Sequence, residues 1–325
     1  MKKNIENIDI MTAFFRELEK VGQKDRNLFF ITADHGAWAL TDFKKKLKKQ
    51  YMNIGISEQN MISFAAGMAL NRKKVFLFTI TPFITQRCLE QIKTDLCYPN
   101  LPVTIVGNGS SLTYAYHGTS HQAIEDIAIM RSLPNLKILN PCDNLSSRAA
   151  VKIAYKSKQP VYIKLDKGFF PDSYQNAKEL HDGLHQFNDK NDKKENIDLS
   201  IFSTGSMIEQ AKKIKKFLKK ENINASLIDI FRIKPLNKKK IINILNKSKA
   251  AITIEEQHID GGIGSQICEV IVDNGISIPL KRFGINDEYC KSFGDREWLR
   301  QYYKIDTNTI IKKTLVWIKS RYKNG

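Results

Sequence analysis

Short apolar runs alternate along this chain with longer stretches whose apolar residues recur every three or four positions, and that alternation constrains the fold more than any other feature. A run of four or five apolar residues followed by a helical-period segment is the sequence form of a βαβ unit. Repeated units place parallel strands in one sheet with helices packed on its faces. In the first half the strand-like runs are 28–32, 75–79, 103–106, 137–139 and 161–164, and the helical period falls on 58–70, 85–97, 122–131 and 144–155. The first 21 residues also space their apolar positions helically between charges. A polar stretch at 181–196 then interrupts the pattern and reads as a linker or surface hairpin. Beyond it strands are expected at 199–203, 225–230, 250–255 and 278–283, and helices at 207–220, 264–274 and 307–322. The expected fold is α/β with two domains, 1–180 and 197–325 about a linker at 181–196, each a mostly parallel sheet flanked by helices.

With 325 residues, 42% of them hydrophobic, the chain is long enough for two such cores. No apolar run approaches the roughly 20 residues needed to cross a bilayer, and the charged start is unlike a signal peptide, so a cytoplasmic protein without a membrane role is expected. Five scattered cysteines, Cys88, Cys97, Cys142, Cys268 and Cys290, form no CxxC pair and suggest reduced thiols, not a disulfide frame or zinc site. The 52 basic against 34 acidic side chains leave a charge of +18, but the excess is lysine spread over many helices. Without a nucleic-acid motif, that distribution does not predict nucleic-acid binding.

Chemistry concentrates in three segments. In Asn53-Ile54-Gly55-Ile56-Ser57-Glu58-Gln59, Glu58 stands where a loop becomes a helix. A carboxylate there has an ordinary use, since it interacts favourably with the helix dipole. The second segment runs from Thr81-Pro82-Phe83 through Arg87 to Asp95, and the third is Tyr114-Ala115-Tyr116-His117-Gly118-Thr119-Ser120-His121-Gln122. Histidines four apart could share a metal on a helix, but Gly118 and its small neighbours predict a loop. Loops that follow strands at the carboxyl edge of a parallel sheet are where such folds bind ligands.

Together these segments resemble the transketolase family of thiamine diphosphate enzymes. NIGISEQNMISFAAGMAL is similar to the signature around the family's catalytic glutamate, PFITQRCLEQIKTDLCYPNLPV to the segment lining the cofactor's pyrimidine ring, and HGTSHQAIEDIAIMRSLPNLKILNPCD to the substrate loop and helix. EEQHIDGGIGSQICEVI resembles the carboxy-terminal domain of transketolases and of pyruvate dehydrogenase beta subunits. The resemblance implies that Glu58 is catalytic and that it binds the cofactor together with Ile56, Phe83 and Arg87. It implies that His121 handles protons at the substrate's reacting oxygens, and that His117 and Lys167 contact substrate. His117 stands where transketolases carry an Asp that reads a sugar hydroxyl, and Lys167 where relatives place an Arg that grips a sugar phosphate. Gly109 and Ser110 fall where relatives offer a His or an Arg toward substrate, which leaves Ser110 as the substrate-side residue there. Leu89 replaces a frequent pocket Tyr.

No Gly-Asp-Gly motif of the family's diphosphate-binding domain occurs in the sequence. The resemblance therefore implies one subunit of a split transketolase. A separate Gly-Asp-Gly chain would hold the diphosphate and a Mg2+ or Ca2+ ion, in an α2β2 heterotetramer moving a two-carbon ketol unit between sugars or sugar phosphates. No metal ligand is expected in this chain. The alternatives are a beta subunit acting on 2-oxo acids and a catalytically idle oligomer partner. With His117 in place of an Asp and the upstream cations missing, a specialised ketol donor or acceptor is expected.

Overall fold

The alternation is realised in a computed structural model that describes residues 8–36, 38, 40–187 and 196–322. Twelve strands are described: β1 (Leu28–Thr32), β2 (Tyr51–Asn53), β3 (Lys74–Ile80), β4 (Val103–Asn108), β5 (Lys137–Leu139), β6 (Val161–Leu165), β7 (His185–Phe187), β8 (Leu199–Ser203), β9 (Ala225–Asp229), β10 (Arg232–Lys234), β11 (Ala251–His258) and β12 (Leu280–Ile285). They form a seven-stranded sheet in the order β10-β5-β6-β4-β3-β1-β2 and a five-stranded sheet in the order β12-β11-β8-β9-β7. Every pairing is parallel except β10 with β5 and β7 with β9, both at sheet edges. Strands β4, β6, β8 and β9 are buried along their whole length, as continuous apolar runs covered on both faces require. The register Phe78 to Val106 to Ile163 aligns β3, β4 and β6, so that their carboxyl ends open onto one edge.

The helices are α1 (Ile10–Lys24), α2 (Leu40–Lys46), α3 (Glu58–Leu70), α4 (Thr81–Ile84), α5 (Leu89–Gln91), α6 (Asp126–Ser132), α7 (Asn144–Tyr155), α8 (Met207–Lys220), α9 (Lys238–Leu245), α10 (Ile263–Asp273), α11 (Arg296–Tyr302) and α12 (Thr307–Tyr322). The amphipathic start becomes α1, whose first turn is capped by Asp9 accepting from the Met11 N–H at 2.8 Å. No helix among the described residues is long and apolar enough to cross a membrane. Cys88, Cys97 and Cys142 are buried free thiols, and Cys268 and Cys290 are free and half-buried.

Two expected helices are corrected. The 85–97 segment is not one helix: Thr81–Ile84, opened by Pro82, ends in a turn, and after α5 a π-helix winds over Ile92–Cys97. The wider winding follows from i→i+5 bonds such as Tyr98 N–H to Lys93 O at 2.9 Å. At 122–131 the helix starts only at Asp126, because Ala123 is drawn into a bridge with Ser111 whose N–H···O distance is 2.8 Å.

The expected linker supplies β7 to the second sheet, while 188–195 lie outside the described residues. Strand β10, from the second half of the chain, completes the first sheet beside β5. A buried ionic clamp also joins the halves. Arg296 donates to Asp166 at the end of β6 (Nη2 to Oδ2, 2.8 Å) and to Glu256 on β11 (Nη2 to Oε2, 2.6 Å), and Arg300 donates to Glu256 at 2.6 Å.

Two other buried carboxyls set a pH dependence. Asp229 accepts from the Tyr174 hydroxyl on one oxygen only, and burial pushes its pKa up to about 7. Burial pushes Glu255 up to about 8, although the N–H groups of Ile263 and Gly264 at the start of α10 pull the other way. Both values exceed those of an unfolded chain, about 4 for each residue type. The stability tied to each proton is therefore full below about pH 4 and is lost as pH rises through about 7 to 8. The free energy of urea unfolding should fall between about pH 6.5 and 8, above the range in which unfolded histidines titrate, each group contributing up to about 1.4 kcal/mol per pH unit. Asp229→Asn should flatten that slope; an unchanged slope would show that Asp229 is not the titrating group.

Candidate active site

The carboxyl edge of the first sheet gathers the polar residues of three loops. Glu58 is the first residue of α3, following an uncapped Ser57, and is only 4% exposed. Its Oε2 accepts from Arg87 Nη1 at 2.9 Å, and no other hydrogen bond to this carboxylate forms among the described residues. The turn that breaks 85–97 places Arg87 there, with its guanidinium 4.3 Å from the Phe83 ring centre. Gln59 fixes that turn by donating to the Arg87 carbonyl at 3.1 Å.

Phe83 also meets the histidine loop, its ring centre 5.1 Å from that of His121 in edge contact. A short 3-10 turn, Ala115–His117, ends at Gly118, whose φ of +71° is the left-handed conformation glycine adopts freely. This turn sets the His117 and His121 rings 5.1 Å apart. Ser120 Oγ lies 3.0 Å from His121 Nδ1. Burial, and then the nearby His117, hold the His121 pKa below the ordinary histidine value. The loop is anchored just downstream, where buried Asp126 accepts from Lys164 Nζ at 2.6 Å and from the Tyr162 hydroxyl at 2.5 Å. Glu125 links the halves of the molecule, accepting from Gln86 at 2.9 Å and from Tyr289 at 3.0 Å. No group of three or more His, Cys, Asp or Glu side chains that could hold a metal ion occurs among the described residues.

Of the remaining expected residues, Ile56 is 76% exposed on the loop before α3. Lys167 follows Asp166, with its ammonium 6.0 Å from the Tyr114 ring centre. Ser110 is 2% exposed, its hydroxyl 3.4 Å from that of Ser111, so it faces the interior. Its carbonyl accepts from the Thr113 N–H at 3.0 Å, and the Thr113 hydroxyl donates to Asp166 at 2.5 Å. Gly109 has a φ of +83°, and a Cβ there would lie 2.1 Å from the Tyr114 ring. The space a larger residue would need at 109 is filled by Tyr114.

Sequence reasoning missed His35. It follows β1 in Asp34-His35-Gly36, a segment with no motif of its own, at the same sheet edge. Its Nε2 lies 2.7 Å from the Asn108 amide, which also reaches the Tyr114 hydroxyl at 2.9 Å. Burial, and then the charge of Lys167, lower its pKa to about 4. The Tyr114 ring continues the chain of contacts to His117 at 5.5 Å and His121 at 6.1 Å. Only the position of His35 after a strand of the parallel sheet could have flagged it.

A two-domain α/β chain with its polar residues converging where the strands of the first sheet end belongs to the class that binds ligands at that edge. The profile of the transketolase pyrimidine binding domain matches residues 6–171, and that of the transketolase C-terminal domain matches 190–310. The chain belongs to the transketolase family. It is 33% identical over 304 residues, 93% of this chain and 94% of the relative, to a Methanocaldococcus jannaschii protein provisionally named a transketolase C-terminal section. It is 30% identical to one of the subunits of the apulose-4-phosphate transketolase of Phocaeicola vulgatus, over 94% of this chain and 96% of the relative. A solved split gene transketolase, an inactive beta4 tetramer, superposes with a TM-score of 0.81 at 30% identity, covering 94% of this chain and 96% of that one.

Imidazole titration by NMR on the full chain tests this electrostatic arrangement. His35 should remain neutral until about pH 4, and His121 should titrate below an ordinary histidine. His117→Asn should raise the His121 value by removing a neighbouring positive charge. A His121 titration unmoved by that substitution would show that the two rings are not coupled.

Proposed function

We propose that this chain is the pyrimidine-side subunit of a split transketolase that transfers a two-carbon ketol unit from a ketose donor to an aldose acceptor. The observation that carries the reading is Glu58: a buried carboxylate whose Oε1 has no hydrogen-bond partner among the described residues, beside an aromatic face, at the ligand-binding edge of the sheet. These residues fit the pyrimidine of thiamine diphosphate. When bound, that ring would pack on Phe83 with Ile56 adding apolar contact, and Glu58 would hold a proton shared with a ring nitrogen. Arg87 lies over Phe83 with its side chain 44% exposed, and it would have to move aside to admit the ring, whose protonated nitrogen would then replace it as the partner of Glu58.

Bound thiamine diphosphate supplies a carbon nucleophile and an electron sink; the protein contributes binding, orientation and electrostatics. His121, kept neutral at physiological pH, can donate to a substrate carbonyl oxygen or take a hydroxyl proton. His117 and Lys167 line the outer part of the same loop cluster and read the sugar hydroxyls and an anionic end. Ser110 acts at one remove, through Thr113 and Asp166. The Gly-Asp-Gly partner holds the diphosphate and its Mg2+ or Ca2+, and two copies of each chain form the α2β2 assembly. The split-subunit relatives support a transketolase over a 2-oxo acid dehydrogenase component, and the intact Glu58 site supports a catalytic over an idle role.

Calorimetry with thiamine diphosphate and magnesium should show weak binding to this chain alone and tight binding once the partner is added. Tight binding to the isolated chain would refute a shared site. With partner and cofactor present, Glu58→Gln should leave the fold intact and reduce turnover about 100-fold to 10,000-fold. Retention of more than about a tenth of wild-type activity would remove Glu58 from the proton chemistry.

Specificity rests on His117. An imidazole can donate or accept where a carboxylate can only accept, so standard pentose phosphates should be poor substrates. A panel of free and phosphorylated ketoses and aldoses, assayed with wild type and His117→Asp, should show the substitution shifting preference toward xylulose 5-phosphate with ribose 5-phosphate. Efficient wild-type use of that pair, unaffected by the substitution, would show that His117 does not set specificity.

A further inference from the structure

A cavity of about 280 Å³ lies in the second domain, between edge strand β12 and the junction of α11 and α12. It shares no residue with the loops around Glu58. Its lining includes Lys281, Lys304, Lys313, Tyr303 and Asn286, and no carboxylate is among the residues that line it. Many lysines of this chain meet an acid, as Lys46 meets Glu19, Lys240 meets Asp182 and Lys249 meets Asp198. Here three lysines line one cavity instead. Burial, and then the charges of Lys304 and Lys281, hold Lys313 below the ordinary lysine value, against a weaker opposing pull from Asp306. Asp306 is itself engaged, capping α12 through the Thr309 N–H at 3.0 Å.

The backbone points the same way. Lys304 follows the C-cap of α11 with a φ of +58°, in a turn closed by Ile305 N–H to Arg300 O at 2.9 Å. Glycine or asparagine usually occupies that place, because a side chain with a Cβ is strained there. Lysine here costs backbone strain and adds to a like-charge cluster, and strained conformations gather at ligand sites. Lys281 is steadied over the Phe283 and Trp317 rings, at 5.7 and 6.0 Å. As an edge strand, β12 also leaves backbone groups on its outer side without ladder partners. Repulsion among the lysines is relieved by a compact polyvalent anion, and the cavity has room for one with a small organic group attached.

We propose that this cavity is a binding site for a phosphate group, either free orthophosphate or the phosphoryl end of a small metabolite. The test uses the full chain at low salt with NMR detection of lysine ε-methylene signals, titrating orthophosphate, glycerol 3-phosphate and, as an uncharged reference, glycerol. Orthophosphate or glycerol 3-phosphate should give saturable shifts at millimolar concentration or below, and glycerol none. Tighter binding of glycerol 3-phosphate by about tenfold would identify an organic phosphate as the ligand, and equal or tighter orthophosphate binding a free one. Lys304→Asn combined with Lys313→Gln keeps a residue that tolerates the left-handed turn, and should weaken binding by about tenfold or more. Lys238→Gln with Lys239→Gln, on α9, should leave it unchanged. Absence of saturation, or equal weakening in both double variants, would overturn the proposal and reduce the effect to general attraction by a basic protein.

Discussion

The ionic clamp of Arg296 between Asp166 and Glu256 is the interaction on which the candidate site depends. Asp166 ends β6 in the first sheet, Glu256 lies on β11 in the second, and Arg296 begins α11, so one guanidinium ties three elements together. The pull of Arg296, joined by Arg300, overcomes burial and holds Glu256 down to about 2. Replacing such a cluster with apolar residues could be neutral for stability, whereas removing one member strands a buried charge. Its value here is positional. Asp166 accepts from Thr113 and from the Lys167 N–H, and Glu256 from the Leu112 N–H at 3.3 Å, so both ends of the clamp grip the segment that leads into the histidine loop. The second domain thereby holds in place a loop carried by the first.

The sheet architecture was legible because parallel strands buried on both faces must be apolar throughout, and β1, β5 and β8 appear with the boundaries that their runs predict. Helix α3 was equally clear, because its period is long and Glu58 marks its start. The 85–97 segment misled because α-helical and π-helical windings both bring apolar residues onto one face, and spacing alone does not separate them. The 122–131 segment misled for a different reason. Helical period continues through Ala123, but its backbone is taken by Ser111, a partner no local pattern could reveal.

Strand β10 illustrates the same limit at larger scale. Three residues, Arg232 to Lys234, are too few to show alternation, and their partner β5 lies far upstream in the first half of the chain. Of the site, the motif-bearing loops were readable and the contacts between them were not. Arg87 reaches Glu58, and His35 reaches Asn108, only because β1, β3 and β4 end side by side. Ser110, placed near substrate by sequence position, is buried with its hydroxyl toward that of Ser111, a placement no local pattern shows.

Charge at this edge is distributed by depth. Arg87 and Lys167 are exposed cations, whereas His35 and His121 lie deeper and are held neutral by burial and by the positive groups beside them. A neutral imidazole has both a donor and an acceptor nitrogen, which a protonated one lacks. Burial is the larger cause at both rings, and the added positive charge is that of Lys167 at His35 and of His117 at His121. Glu58, buried and paired on one oxygen, keeps acceptor capacity to spare at the same sheet edge.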